Sequence, residues 1–380
     1  KFVVDMAAGS PELTMTNVTN INNIEVKGTV AGTVAELNAQ SKQPTIKTDG
    51  YTRVLTINTE ANSGTTTAAT AETVNVEVSG SSYGSSASTR SGVTLTADGA
   101  GTLETLNITS SGSAANDFAL DASTNITLET VNFLGATALT TRIAAADITG
   151  LTLTATEATG DQTLMIDHST RTTTATNANL FTGFDNIVIK DSTTPTTGGD
   201  GGSLTGLTSG QKVTFADDLN ATTLTFKSVS GSSDTATVVL DNESGSTDTD
   251  IASIDIQNVE TVTIESSGNA GTSVSNSASA TTNLLDSLTG DATTINITGD
   301  TALNLDLAID KASSGSAGSR AVTVDASGST GAVAIETAAS TGTGSVSYTI
   351  TGTANADIIT LANATNAGTI TAGAGNDTIT

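Results

Sequence analysis

The sequence predicts an all-β protein, an irregular parallel β-solenoid or β-roll that carries loop insertions and is broken into several modules. Apolar and polar residues alternate with a period of two in a dozen short segments, the pattern of half-buried strands. These segments recur roughly every 20–35 residues, the spacing of stacked repeats. Only 3% of the residues are aromatic, which favours a thin core of Val, Ile, Leu and Thr. Tandem β-sandwiches are the alternative, although aromatic residues usually fill their cores.

Segment 71–80 shows the strand pattern most clearly, because Val74, Val76 and Val78 fall on one face while Asn75 falls on the other. In a parallel solenoid such valines stack inside, and Thr and Asn form ladders from coil to coil. The segments of this kind, in chain order, are 21–28, 53–60, 71–80, 103–112, 128–135, 148–157, 184–191, 221–228, 259–268, 292–300, 320–328 and 346–353.

Helix signals are almost absent. Segments 32–42 and 281–291 are the best candidates for short helices.

Charge and composition divide the chain into three regions. Residues 1–190 form a β-rich region with 18 acidic and 9 basic residues, whereas 191–380 hold 21 acidic and 4 basic residues. Within the second half, 191–345 form an acidic β-rich region with loop insertions. Residues 346–380 begin a repeat array that we expect to continue beyond residue 380.

The same composition excludes several classes of partner and site. A formal net charge of −26 repels nucleic acid and suits divalent cations. The chain has no Cys, so it forms neither disulfides nor thiolate metal sites. No stretch approaches the roughly 18 apolar residues of a membrane-spanning helix.

A repeated Gly/Asp motif near residue 380 is the strongest functional signal. Residues 372–380, AGAGNDTIT, fit the nonapeptide G-G-x-G-x-D-x-U-x, in which U is a large apolar residue, except that Ala372 replaces the first Gly. Residues 352–359 place Gly352, Asp357 and Ile359 at equivalent positions, with Asn355 in place of a Gly. Gly-rich turns that carry Asp can direct several oxygens at Ca²⁺, which takes six to eight oxygen ligands.

This motif pair resembles the repeats-in-toxin (RTX) family of secreted bacterial proteins, and the Thr/Ala/Gly/Ser/Asn-rich chain before it resembles the surface-layer (S-layer) branch of that family. The resemblance implies Ca²⁺ ligands at the Asp357 and Asp377 side chains and at the main-chain carbonyls of Gly373, Gly375 and Asn376. It also implies type I secretion and a lattice on the bacterial cell surface that requires calcium.

A second candidate calcium site is the segment 241–250, DNESGSTDTD, which contains Asp241, Asp248 and Asp250. Its glycine is misplaced for an EF-hand and no flanking helices are predicted. A solvated acidic loop is the alternative interpretation.

Catalytic signals are weak. Residues 80–84 match G-x-S-x-G, but 85–92 cannot form the helix that a nucleophile elbow needs. His168 is the only histidine, and the adjacent Asp167 would face away from it on a strand. The sequence therefore predicts a protein that is not an enzyme.

These observations together predict an extracellular S-layer protein that forms a homo-oligomeric, calcium-dependent lattice on a bacterial cell. We expect any contact with cell-surface polysaccharide to use a region outside this chain. A secreted RTX-type adhesin is the first alternative, and a polysaccharide-active enzyme on a β-helix is the second.

Overall fold

The computed structural model is nearly all β, and its described part contains a single 3₁₀ helix, Ala145–Ile148. The chain forms two compact units, residues 1–170 with 179–186 and residues 171–178 with 187–380. The structure describes residues 2–5, 13–18, 23–27, 35–39, 45–49, 54–58, 73–81, 92–96, 103–124, 127–148, 150–167, 176–177, 181–190, 203–226, 233–241, 248–274, 282–309, 319–337, 345–361 and 368–380.

The first unit contains two sheets, and successive coils of the chain add one strand to each. The strands of one sheet, in spatial order, are β1 (Phe2–Asp5), β3 (Asn23–Lys27), β5 (Thr45–Asp49), β7 (Thr73–Ser79), β9 (Thr105–Ser111), β11 (Thr130–Gly135), β13 (Thr152–Thr154) and β16 (Phe181–Thr182). The strands of the other are β2 (Leu13–Val18), β4 (Ala35–Ala39), β6 (Val54–Asn58), β8 (Gly92–Thr96), β10 (Asn116–Thr124), β12 (Leu139–Ala144) and β14 (Gln162–Asp167).

The second unit repeats this arrangement. One strand series is β17 (Asn186–Lys190), β19 (Lys212–Phe215), β21 (Thr235–Leu240), β23 (Thr261–Ser266), β25 (Thr294–Gly299), β27 (Ser319–Ser329), β29 (Ser345–Thr351) and β31 (Gly368–Thr371). The other is β15 (Thr176–Asn177), β18 (Ser203–Leu207), β20 (Leu219–Phe226), β22 (Asp250–Gln257), β24 (Asn283–Gly290), β26 (Leu303–Leu307), β28 (Val333–Thr337), β30 (Ile358–Leu361) and β32 (Thr378–Ile379).

Strand pairing confirms the predicted parallel β-solenoid. Most strands pair in parallel with the strand two places along the chain, as β7 does with β9 and β9 with β11. Tandem sandwiches would instead pair their strands antiparallel. The period-two segments are strands, and 71–80 contains β7, in which Val74, Val76 and Val78 are buried.

The core consists of apolar residues stacked in register. Val74, Leu106, Val131 and Leu153 lie opposite one another on four successive strands, and each is 0% exposed. Because every coil contributes only a few inward side chains, β-branched and aliphatic residues fill the core without many aromatic rings.

The predicted polar ladders are present on the outer face. The Asn132 side-chain amide donates to the Asn107 side-chain oxygen, and Asn107 donates in turn to Asn75, both at 2.8 Å. Each asparagine thus links its strand to the neighbouring coil.

Both helix candidates were wrong. Segment 32–42 contains β4, and segment 281–291 contains β24, which pairs with β22 and β26. Leu285 and Leu288 are three residues apart and both buried, which resembles a helical period. The pairing with β26 shifts register between these two leucines, so a β-bulge turns both toward the core.

No helix within the described residues has the length and apolar character needed to cross a bilayer. The three-part division predicted from charge stays a prediction.

Candidate functional site

The two copies of the terminal motif form stacked turns at one corner of the second unit. Residues 352–357 connect β29 to β30, and residues 372–377 connect β31 to β32. Gly373 has φ +100°, and a Cβ built on it would lie 1.9 Å from the Thr353 carbonyl oxygen of the turn before it. The glycines therefore allow one turn to lie directly on the next.

Asp357 is buried in this corner, with 1% of its surface exposed. One carboxylate oxygen accepts hydrogen bonds from the Val333 N–H at 2.9 Å and the Thr353 hydroxyl at 2.8 Å. The other oxygen accepts the Thr353 N–H at 2.6 Å. A carboxylate has about four acceptor positions, so three of them are used by the protein itself.

Asp377 lies one coil later and is joined to Asp357 through the main chain. Its Oδ1 accepts the Asp357 N–H at 3.1 Å. Asn355 also makes protein contacts, because its side-chain amide donates to the Thr330 carbonyl at 2.9 Å and its N–H donates to the Thr353 hydroxyl.

The remaining predicted ligands lie in the same corner. Gly352 is buried, and a Cβ there would be 2.1 Å from the Ala372 carbonyl oxygen and 2.7 Å from Asp357 Oδ2. Gly375, with φ +127°, packs on the Asn355 carbonyl, and Asn376 is exposed. The structure thus brings the predicted residues together. The Asp357 oxygens face N–H and O–H donors, which occupy three of the acceptor positions of this carboxylate.

The second predicted group lies near the start of β22. Asp241 follows β21 and is partly exposed, Asp248 is 9% exposed, and Asp250 is the first residue of β22. The Asp250 N–H donates to Asp218 Oδ1 at 2.9 Å. Residues 242–247 lie outside the described part of the chain.

A line of carboxylates extends from this point across the outer face of the sheet. Asp306 and Glu336 lie opposite each other on the paired strands β26 and β28, and Asp286 is exposed on the neighbouring β24. We name the set the acidic row; its members are Asp218, Asp250, Asp286, Asp306 and Glu336.

The charges of the acidic row disfavour one another. Burial, and then the charges of Glu336 and Asp286, raise the pKa of Asp306 to about 6. Burial, and then the neighbouring acidic residues, raise the pKa of Asp250 to about 6. The pKa of Asp218 is raised as well, with burial as the largest cause.

Within the described residues of the second unit, no ion pair with a basic side chain compensates the negative charge of the acidic row. Ion pairs there include Lys212–Glu265 at 3.9 Å and Arg320–Asp291 at 3.4 Å, and neither includes a member of the row. Oxygen-only carboxylate sets suit a proton or a hard cation such as Ca²⁺.

Sequence reasoning found Asp250 but missed the rest of the row. Asp218 directly precedes β20, and the other four members fall at outward positions of four different strands, in segments as different as LDSL, LNLDL and AIET. The repeated outward acid was a usable signal, but only the strand register shows that the carboxylates are neighbours.

The structure adds little support to the weak catalytic signals of the sequence. Ser81 is buried at 6% exposure, and its N–H donates to Asn116 Oδ1. Residues 82–91 and His168 lie outside the described residues, and Asp167 ends β14. A surface depression of about 220 Å³ in the first unit is lined by amide, hydroxyl and apolar side chains and by Glu157.

Comparisons of the chain with protein-family models, curated proteins and solved structures gave no match.

Proposed function

We propose that this chain is a structural, non-enzymatic protein of a bacterial surface layer, in which copies of the chain form a calcium-dependent two-dimensional lattice outside the cell. The acidic row carries the proposal. It is a line of carboxylates on the outer face of a regular sheet, and its charges oppose one another.

The solenoid supports a structural role. Each coil contacts only its neighbours, and the sheets offer long, repetitive faces. The resemblance to RTX proteins supports export by type I secretion. Attachment to cell-surface polysaccharide is proposed for a region outside this chain.

Calcium has the chemistry that the acidic row requires, since it is a doubly charged ion that prefers oxygen ligands. Among the described residues, however, no three Asp, Glu, His or Cys side chains come close enough to hold one metal ion. An ion at the row would therefore complete its ligands with water or with oxygens of a neighbouring copy. This gives calcium a role at contacts between copies.

Electron microscopy of the full-length protein tests this function. We expect ordered sheets with calcium, dispersed particles after EGTA, and sheets again when calcium is restored. Magnesium is the control ion, because it demands a tighter octahedral shell and keeps its waters. Sheets that persist in EGTA would contradict the proposal, and isolated fibres would favour the adhesin.

A neutralised row tests the location of the ion. The combined substitutions Asp250→Asn, Asp286→Asn, Asp306→Asn and Glu336→Gln should prevent sheet formation in calcium while the solenoid stays folded. Asp325→Asn, on β27 in the other sheet, is the matched control and should leave the sheets intact. Normal calcium-dependent sheets from the fourfold variant would exclude the row as the bridging site.

A further inference from the structure

Side-chain oxygens at the corners of the solenoid bind main-chain N–H groups of the preceding coil. In each case the acceptor is the first residue of a strand or the residue just before one, and the donor is 20 to 35 residues earlier. The pairs are Asn116 with Ser81 at 3.0 Å and Asp185 with Gln162 at 2.7 Å in the first unit, and Asn283 with Thr249 at 2.9 Å, Asp357 with Val333 at 2.9 Å and Asp377 with Asp357 at 3.1 Å in the second.

Two of these acceptors are neutral amides. Asn283 Oδ1 accepts the Thr249 N–H, while its Nδ2 donates to the Ser266 hydroxyl and the Ser267 carbonyl. Asn116 makes the equivalent contacts in the first unit, with its Nδ2 on a serine hydroxyl and on the next carbonyl. A corner of this kind therefore requires an acceptor oxygen, but it requires neither a charged side chain nor a metal ion.

Asp357 fits the same role with an additional donor. An amide at its position would offer one acceptor oxygen and one NH₂ group, which can only donate, yet three donors face this side chain. A carboxylate can accept all three, and charge-assisted hydrogen bonds of this kind are stronger than neutral ones. The choice of Asp over Asn at residue 357 thus follows from the number of donors.

We infer that Asp357 and Asp377 are corner anchors that fasten each coil to the preceding one through main-chain N–H groups, and that they do so without a metal ion. The inference departs from the ligand role that the RTX resemblance implies for these residues. It is independent of the proposed lattice, because calcium at the acidic row does not involve this corner.

Amide hydrogen exchange of the full chain, in EGTA and in calcium, tests the inference. In the unsubstituted protein the N–H groups of Val333, Thr353 and Asp357 should exchange slowly in EGTA, and calcium should change their rates by less than about twofold. Fast exchange in EGTA that calcium slows tenfold or more would overturn the inference. This arm needs no substitution.

Asp357→Asn gives a sharper result. Asparagine can keep the oxygen that faces Val333, but its Nδ2 then faces the Thr353 N–H. Exchange at Thr353 should accelerate by about tenfold to a hundredfold in EGTA and in calcium alike, as expected for a lost hydrogen bond to a charged group. A calcium ligand would instead show its effect only in calcium.

Asp161→Asn is the matched control, because Asp161 is an exposed acid just before β14 in the first unit and lies outside the acidic row. It should leave the exchange at Val333 and Thr353 unchanged. If exchange at Thr353 is also unchanged in Asp357→Asn, the inference is overturned. If that variant does not fold, the EGTA arm of the unsubstituted protein still decides.

Discussion

At the scale of single residues, the surroundings of Asp306 make its ionised form less favourable than in the unfolded chain. It lies in register with Glu336 across β26 and β28, and like charges directly opposite on paired strands destabilise a sheet. The pKa of about 6 reflects burial first and these charges second. The folded state therefore holds the Asp306 proton more tightly than the unfolded chain does.

Stability of the second unit should consequently fall as pH rises. With its pKa raised from 3.8 to about 6, Asp306 contributes stability that is fully present below the lower value and lost as pH passes the higher one. Asp306→Asn should stabilise the unit at pH 7 by roughly 0.5–1 kcal/mol after solvent screening, and should have no effect near pH 3. Urea unfolding in calcium-free buffer, followed by hydrogen exchange in β26 and β28, measures the difference.

Asp325 is the control for the sign of this effect. Hydrogen bonds from the Ser327 side chain and N–H lower the pKa of Asp325, so ionisation there is favoured by folding. Asp325→Asn should therefore not stabilise the unit at pH 7. Equal stabilisation by both substitutions would point to a general effect of net charge and would contradict the specific role of the row.

At the scale of strands and corners, glycines decide how closely coils stack. Gly299 ends β25 with φ +106°, and a Cβ there would lie 1.9 Å from the Ser266 carbonyl oxygen. Gly210 has a similar φ of +86°, but nothing lies within 4 Å of its Cβ position. The two sites share the backbone strain of a left-handed conformation and differ in the space available.

This difference predicts unequal costs for alanine. Gly210→Ala should destabilise the second unit by about 1–2 kcal/mol, the strain of a left-handed residue. Gly299→Ala should cost at least about 2 kcal/mol more, because the coil must also move away from the Ser266 carbonyl. Chemical denaturation of the two variants measures the difference, and equal losses would show that stacking at this corner is loose.

The positions of the strands could be predicted from the sequence, whereas the residue-by-residue pairing between strands could not. Val74, Val76 and Val78 alternate with polar residues, so a local pattern identifies β7 and its buried face. The partner of each residue depends on the loop lengths between coils, which vary irregularly. The acidic row exists only through that register, as does the Asn75–Asn107–Asn132 ladder.

For the same reason, only part of the corner at Asp357 could be predicted from the sequence. The Gly/Asp pattern located a turn followed by a buried Ile359. The pattern contains no information about Val333, whose N–H is supplied by a coil 24 residues earlier. Sequence therefore located the corner, whereas the donors at Asp357 come from contacts between coils.

At the scale of the whole molecule, charge is distributed unevenly. Residues 191–380 carry 21 acidic and 4 basic residues, against 18 and 9 in residues 1–190. The described part of the first unit contains close ion pairs, such as Arg142–Asp117 and Lys47–Glu77 at 2.8 and 2.7 Å. Repulsion should therefore limit the stability of the second unit more than that of the first.

Monovalent salt should stabilise the second unit preferentially. Raising NaCl from about 0.01 M to about 0.1 M shortens the screening length from roughly 30 Å to roughly 10 Å, which weakens repulsion along the acidic row. We expect slower hydrogen exchange in β22–β28 and little change in β7–β13. The fourfold row variant should lose most of this salt response. Equal responses in the two units would contradict the assignment of the repulsion to the row.

The register of the first unit has a consequence for how such a chain can change its length. Residues 73–75 and 130–132 are both Thr-Val-Asn, and each tripeptide lies opposite residues 105–107 on the strand between them. Excising 105–129 would remove one full turn of the chain and bring two identical tripeptides face to face, with every inward and outward position preserved. A protein built in this way can be shortened or extended by whole turns. Deletion or duplication of the gene segment for one turn can therefore set the number of turns in the solenoid.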